Sequence, residues 1–285
     1  MEITGETRLV ALLGDPVGHS LSPRMHNTAF AHLGLNYVYL AFRSNEAELP
    51  AAVAALRALN AKGFNCTMPL KKAILPLLDD MSPAARMIGS VNTVTIEDGR
   101  LIGHNTDGTG FIHDLHNHGV EVKGTRILIV GAGGAARGLC VQLALDGAAE
   151  IVIANRSLEK AQSIRRLIAS HIPACKVEAI QLSQGELAPR IAEADIFTNT
   201  TALGMHPHEE ACVIPDSSLL RPSLVMTDLI YIPGKTVFLK LAEEAGCTAI
   251  NGSGMLLWQG AEAFRIWTGQ DMPVELVIKK VFPDN

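Results

Sequence analysis

Residues 126–136 constrain this chain more than any other stretch. Arg126 is followed by an unbroken apolar run, Ile127-Leu-Ile-Val130, which enters Gly131-Ala132-Gly133-Gly134-Ala135-Ala136 and then an Ala/Leu-rich segment to about residue 147. A run that is apolar on both faces reads as a strand buried on both sides, the state of strands in parallel sheets. A turn made only of glycine and alanine lets the first N–H groups of the following helix approach a bulky anion. The spacing Gly131-x-Gly133-x-x-Ala136 assigns one task to each small residue: a tight turn, close approach of a pyrophosphate, and close packing of helix on strand. A glycine-rich turn without a ligand would look the same in isolation. The strand before it and the helix after it favour a dinucleotide site.

The same alternation continues on both sides. Strands are expected at 151–154, 176–180, 196–198, 225–229 and 248–250, with a helix from about 158, which is a doubly wound pattern. Upstream, strands at 9–13, 37–42 and 63–67 alternate with helices at 23–33 and 49–60, and helices at 254–268 and 274–281 close the chain. The class is α/β. At roughly 150 residues per domain, the 285 residues make two: an N-terminal α/β substrate domain, residues 1–106 with 253–285, and a Rossmann-type dinucleotide domain, residues 107–252. A cleft is expected between them.

Where a carboxylate at the end of the second strand would bind a ribose 2′-hydroxyl, the chain has Asn155-Arg156-Ser157, with Lys160 one turn on. A guanidinium, a hydroxyl and an ammonium suit a 2′-phosphate, so NADP is the expected cofactor and NAD the second choice. The alternative is a solvated helix start, or an arginine that stacks on adenine without selecting phosphate.

With 24 Lys+Arg against 29 Asp+Glu, net charge −5, no general positive field exists to attract nucleic acid or an anionic membrane. No basic leader or run of about 18 apolar residues appears, so a cytoplasmic protein is expected, a monomer or homodimer acting on a small molecule. Five cysteines, Cys66, Cys140, Cys175, Cys212 and Cys247, have no C-x-x-C spacing and read as small buried hydrophobes. His113, His116 and His118, and the His206-Pro-His208-Glu209-Glu210 stretch, lack the further ligands a closed metal site needs; no metal is expected. The apolar stripe at 51–61 reads as core.

Four segments are dense in hydroxyls and amides: Ser20-Leu-Ser22-Pro-Arg-Met-His26-Asn27, Asn65-Cys-Thr67-Met-Pro69-Leu-Lys71, Ser90-Val-Asn92-Thr93 and Asn105-Thr106-Asp107-Gly108. Each could be an ordinary helix cap or turn; four feeding one site would suit a small polyhydroxylated ligand. Together these segments resemble the shikimate dehydrogenases, including the quinate/shikimate dehydrogenases, with the S-x-S-P-x-x-H-N, N-x-T-x-P-x-K, V-N-T and N-T-D-G motifs in order. The resemblance extends through Gly131 to Ala136, Asn155-Arg156, Asp228-Leu-Ile-Tyr231 and Gly252-x-Gly254-Met-Leu-x-x-Gln259.

The resemblance implies reversible hydride transfer between NADPH and the ring carbonyl of 3-dehydroshikimate, giving shikimate. Reducing a ketone requires a proton for the developing alkoxide, and a cleft lysine tuned by desolvation and a nearby carboxylate can donate it. Lys71 and Asp107 are the expected catalytic pair. Ser20 and Ser22 would hold the substrate carboxylate, and Asn65, Thr67, Asn92, Asp107 and Gln259 the ring hydroxyls, while Tyr231 would close the site beside the nicotinamide. Gly131, Ala132, Gly133, Gly134 and Ala135 would hold the pyrophosphate, Asn155, Arg156, Ser157 and Lys160 the 2′-phosphate, and Leu229 and Gly252 would approach the nicotinamide. Cys66, Leu70 and the 201–204 loop depart from the commonest family pattern, and the 258–262 stretch looks like the broader-specificity branch. Quinate as substrate, with NAD or dual cofactor use, and a catalytically idle ligand-binding paralogue stand as alternatives.

Overall fold

A computed structural model describes residues 2–214 and 216–282. The chain divides into two units, Met1–Gly110 with Leu257–Asn285, and Phe111–Leu256.

In the first unit the chain runs β1 (Arg8–Gly14), α1 (Ser22–His32), β2 (Tyr37–Arg43), α2 (Leu49–Ala58), β3 (Gly63–Cys66), α3 (Leu70–Ala73), β4 (Asp80–Met81), α4 (Pro83–Ile88), β5 (Thr93–Glu97) and β6 (Arg100–His104). The strands form one sheet in the order β2-β1-β3-β5-β6-β4. β1 is parallel to β2 and β3, whereas β5 runs antiparallel to both β3 and β6. The sheet is therefore mixed, and the β5–β6 hairpin was not among the expected strands. Its signal lies in Asp98-Gly99, both at positive φ (49° and 76°), as a two-residue hairpin turn of the favoured hand requires.

The hairpin matters because it reverses chain direction twice. The first residue of β5 and the last of β6 come to the same end of the sheet as the C-termini of β1 and β3. Register pairs Leu13 with Cys66, Asn65 with Thr93, and Thr93 with His104. Beneath that end lies a core that includes Ala11, Leu13, Phe64, Leu70, Ile74 and Val94. Leu49, Val53 and Leu56 form the buried face of α2, at helical spacing, while Ala51 on the expected stripe is exposed.

The helix α5 (Asp107–Asn117) begins in the first unit and continues into the second. There follow β7 (Arg126–Val130), α6 (Gly134–Leu145), β8 (Glu150–Asn155), α7 (Leu158–His171), β9 (Lys176–Gln181), α8 (Gln184–Glu193), β10 (Ile196–Asn199), β11 (Val225–Asp228), α9 (Val237–Glu244) and β12 (Thr248–Ile250). These six strands are all parallel, in the order β12-β11-β10-β7-β8-β9. Strand order reverses between β7 and β10, the switch point outside which open α/β sheets bind ligands. Val130, Ala154, Phe197 and Met226 are central to its core.

The last helices are α10 (Gly252–Thr268) and α11 (Val274–Val281). α10 starts in the second unit, and from Leu257 onward the chain belongs to the first. There Trp267 donates its indole N–H to the Val94 carbonyl at 3.0 Å. No helix among the described residues is long and apolar enough to cross a membrane.

Candidate active site

Lys71 lies on the short helix α3, and Asp107 is the first residue of α5. Their contact is Lys71 Nζ to Asp107 Oδ2 at 2.5 Å. The other carboxylate oxygen, Oδ1, accepts from Asn92 Nδ2 at 2.8 Å. Asn92 is fixed in turn: its amide also donates to Thr106 Oγ1 at 2.9 Å, and its Oδ1 accepts the Thr106 backbone N–H at 2.9 Å. Held at both oxygens, the carboxylate cannot rotate without breaking a charge-assisted bond. The ammonium spends one N–H on Asp107 and keeps two. At 31% side-chain exposure for Lys71 and 14% for Asp107, the pair is reachable by a ligand yet shielded from bulk water.

Around this pair the expected ring-binding residues assemble. Asn65, at the end of β3, donates both amide hydrogens, to the Asn92 carbonyl and to Thr93 Oγ1, each at 2.9 Å. Gln259 Oε1 is 3.4 Å from Asn92 Nδ2. Gly110 admits α10 here, since a Cβ on it would lie 2.4 Å from the Gln259 nitrogen. Thr67 packs against the end of β1, where a Cβ on Gly14 would meet its methyl group at 2.2 Å, and the Met68 carbonyl accepts the Asp15 N–H at 2.9 Å. The loop after β1 carries Ser20, and Ser22 opens α1. Ser20 Oγ accepts the Ser22 N–H at 3.3 Å, leaving its own proton available to a ligand. Six of the nine expected catalytic and substrate residues (Lys71, Asp107, Asn92, Asn65, Gln259 and Thr67) thus gather on loops, strand ends and helices at one end of the first sheet. The serines approach from the loop after β1 and the start of α1.

The ninth, Tyr231, belongs to the second unit and is half-buried after β11. So do the expected cofactor residues. Gly131 has φ +113°, and a Cβ there would meet Thr200 Oγ1 at 2.2 Å, so no other residue fits that turn. Ala136 is wholly buried against the strand. Gly133, Gly134 and Ala135 are exposed, and a Cβ on either glycine would meet nothing within 4 Å. Gly133 caps α6 without any side-chain bond to its first N–H groups. An open surface of bare backbone at the start of a twelve-residue helix suits a pyrophosphate, so these residues fit the dinucleotide. Arg156, Ser157 and Lys160 are exposed, and neither cation has an acidic partner among the described residues. Asn155 Nδ2 donates to the Ser157 carbonyl at 2.9 Å. Leu229 and Gly252 are brought into contact: a Cβ on Gly252 would lie 2.2 Å from the Leu229 carbonyl oxygen.

Several supporting residues escaped the sequence reading. Asp228, within the D-L-x-Y segment, is buried and accepts from Asn199 Nδ2 at 3.1 Å, Thr236 Oγ1 at 2.7 Å and the Ile230 N–H at 3.1 Å. Burial pushes its carboxyl above the usual range, and these three donors oppose the shift. Asp114 sits under the start of α10, where it takes the Met255 N–H and where a Cβ on Gly254 would come within 2 Å of its carboxylate. Burial raises Asp114 to about 6, against the pull of His118. Asp228 lies in a segment the resemblance had marked, without a role assigned to it, whereas Asp114 has no local signal beyond a single acidic letter. The discounted histidines are engaged elsewhere, His118 with Asp114 at 3.4 Å, His116 with Glu121 at 3.7 Å and His206 with Glu209 at 3.4 Å. Cys212 is only half-buried, whereas the other four cysteines are buried.

The second unit, with its 3-2-1-4-5-6 parallel sheet and glycine turn after the first strand, has the architecture of the Rossmann dinucleotide-binding domains. Three family models match in series: the shikimate dehydrogenase substrate binding domain over residues 12–94, shikimate / quinate 5-dehydrogenase over 114–214, and the shikimate 5′-dehydrogenase C-terminal domain over 252–282. Shikimate dehydrogenase (NADP(+)) of Alkaliphilus metalliredigens is 51% identical over 276 residues, which is 97% of this chain and 96% of that protein. The crystal structure of shikimate 5-dehydrogenase from Listeria monocytogenes in complex with shikimate and NAD superimposes with a TM-score of 0.95 at 47% identity, covering 98% of each chain. Quinate dehydrogenase from Corynebacterium glutamicum in complex with NAD is more distant, at 30% identity and a TM-score of 0.89 over 97% of this chain and 99% of that one. The chain belongs to the shikimate dehydrogenase family.

Proposed function

We propose that this chain catalyses the reversible NADP-dependent interconversion of shikimate and 3-dehydroshikimate, with Lys71 and Asp107 as the catalytic pair. The observation that carries this reading is the Lys71–Asp107 contact at 2.5 Å, locked by Asn92, at the sheet end where the hydroxyl- and amide-bearing loops converge. Residues 1–106 and 253–285 serve as the substrate domain and residues 107–252 as the NADP domain.

When bound, the oxidised cofactor NADP+ would accept the hydride in one direction and its reduced form, NADPH, would supply it in the other. The chain supplies the proton. In the reducing direction the Lys71 ammonium donates to the developing alkoxide, and in the oxidising direction the amine takes the hydroxyl proton. Asp107 orients Nζ through Oδ2. Ser20 donates to the substrate carboxylate, and Ser22 does so once its hydroxyl turns from the Tyr39 oxygen; hydroxyls hold the carboxylate with less charge compensation than an arginine would. Thr67, Asn92 and Gln259 bind ring hydroxyls. Asn65 is limited to accepting one, because both its hydrogens are already used. In the second domain Gly131 to Ala135 receive the pyrophosphate, and Arg156, Ser157 and Lys160 the 2′-phosphate, with Asn155 shaping the turn. Leu229, Gly252 and Tyr231 exclude water from the nicotinamide end. The protein acts in the cytoplasm as a monomer or homodimer.

The test is absorbance at the nicotinamide band with shikimate or quinate and NADP or NAD, in all four combinations. Strong turnover with shikimate and NADP alone is expected. Preference for quinate or NAD would overturn the specificity, and no turnover in any combination would overturn the enzymatic reading.

A further inference from the structure

Behind the substrate residues of the first unit lies a buried aromatic group that the reaction does not use. Tyr39, on β2, is fully buried. Its ring stacks on His26, centroids 4.5 Å apart and planes 10° from parallel, and lies 6.1 Å from Trp267. His26 is itself fully buried between Tyr39, Phe30, Phe264 and Trp267, and neither ring nitrogen has a hydrogen-bond partner among the described residues. Burial lowers its pKa to about 3. A neutral imidazole of this kind is a flat packing surface that holds the phenol ring in place.

The phenol has a definite job. Tyr39 donates its O–H to Asn65 Oδ1 at 2.7 Å, while the two hydrogens of the Asn65 amide go to the Asn92 carbonyl and Thr93 Oγ1. Turning the amide over would set its oxygen against the Asn92 carbonyl, acceptor to acceptor, so the bonding pattern defines which end is oxygen. The Tyr39 bond uses one lone pair of that oxygen and leaves the other. The Ser22 hydroxyl also bonds the phenol oxygen, so the tyrosine stands between the residue assigned to the carboxylate and the residue assigned to a ring hydroxyl.

We propose that Tyr39 is a positioning residue for substrate recognition: without touching the substrate, its phenol holds the Asn65 amide so that the free lone pair of Oδ1 accepts a substrate hydroxyl. This rests on the reading of Asn65 as a substrate ligand. It also explains why a polar aromatic occupies a strand position that a phenylalanine would fill equally well by packing.

Tyr39→Phe removes one oxygen and keeps the stack on His26. With wild-type turnover on shikimate and NADP as the reference, the variant should raise KM for shikimate by about 5- to 10-fold, the range of one neutral hydrogen bond. Its kcat and KM for NADP should stay within about twofold, since proton transfer and the cofactor use other residues. In an Asn65→Ala background the effect of Tyr39→Phe should shrink to well below its size in the wild type, only the contact with Ser22 remaining to be lost. An unchanged KM for shikimate, equal losses in kcat and both KM values, or additive effects in the double variant would each overturn the proposal. So would a Tyr39→Phe protein that does not fold, since a purely positioning residue is dispensable for the fold. A wild-type protein without activity on shikimate would instead overturn the function proposed above, and this inference with it.

Discussion

Two glycine-to-alanine changes in the second unit should fail in opposite ways. At Gly252 an added Cβ would stand 2.2 Å from the Leu229 carbonyl oxygen, 2.5 Å from its carbon and 3.2 Å from its Cα. Ordinary contact begins near 3.4 Å, so the start of α10 and the segment after β11 must separate by about 1 Å. Both partners are backbone, and neither can swing aside as a side chain could. Overpacking of this kind costs about 1–3 kcal/mol, a fall of several degrees in Tm. A shift of about 1 Å at a reacting centre also costs on the order of 10²-fold in rate, so kcat should fall with stability. At Gly133 an added Cβ meets nothing within 4 Å and the backbone is extended, φ −80° and ψ −169°. Gly133→Ala should therefore fold with Tm within about 2 °C of the wild type, and yet raise KM for NADP by about 10-fold or more, because the methyl group occupies the space the pyrophosphate needs. The assays are differential scanning calorimetry and initial rates with NADP varied. A Gly252→Ala protein with wild-type Tm and kcat would refute the steric argument, and a Gly133→Ala protein with wild-type KM for NADP would remove the turn from the cofactor site.

Lys71→Ala should lower kcat by about 10²-fold or more, as removal of a general acid–base does, while cofactor binding followed by fluorescence is retained; full activity would exclude Lys71 as proton donor. Arg156→Ala should raise KM for NADP by about 10-fold and leave that for NAD unchanged, the signature of a lost phosphate contact; equal effects on both cofactors would mean that the guanidinium stacks on adenine. Burial raises Asp114 to about 6 from 3.8, so the folded protein binds this proton more tightly than the unfolded chain does. Its contribution to stability is therefore full at low pH and declines as pH rises from about 4 through 6. Asp114→Asn lacks that decline, so its stability relative to wild type, measured by urea unfolding, should increase across this interval; a constant difference would place the perturbation elsewhere.

The glycine turn after β7 was legible because its geometry is local. A buried strand, two glycines and a small helix residue are contiguous from Ile127 to Ala136, and each is required by backbone geometry that any such turn must satisfy. The polar segments were legible for a similar reason, being short runs of hydroxyls and amides, and the family resemblance put them in order. The β5–β6 hairpin stands outside the expected strands although Asp98-Gly99 announces it, since the alternation of strands and helices suggests parallel units throughout.

What the sequence by itself determined is which groups are present and which local conformations hold them: the α/β class, the Gly131 turn, and the lysine and aspartate of two separate motifs. What tertiary structure alone decided is which of those groups share their hydrogen bonds. Lys71 and Asp107 are 36 positions apart, yet both oxygens of the aspartate are taken, one by Lys71 and one by Asn92. Tyr39 reads in the sequence as one more apolar letter of a strand, and becomes polar in function only because β1 lies between β2 and β3 and the ring reaches across to Asn65. The physical reason is that propensity and motif spacing act along the chain, whereas a buried hydroxyl or carboxylate must find its partner in space and is costly to leave without one.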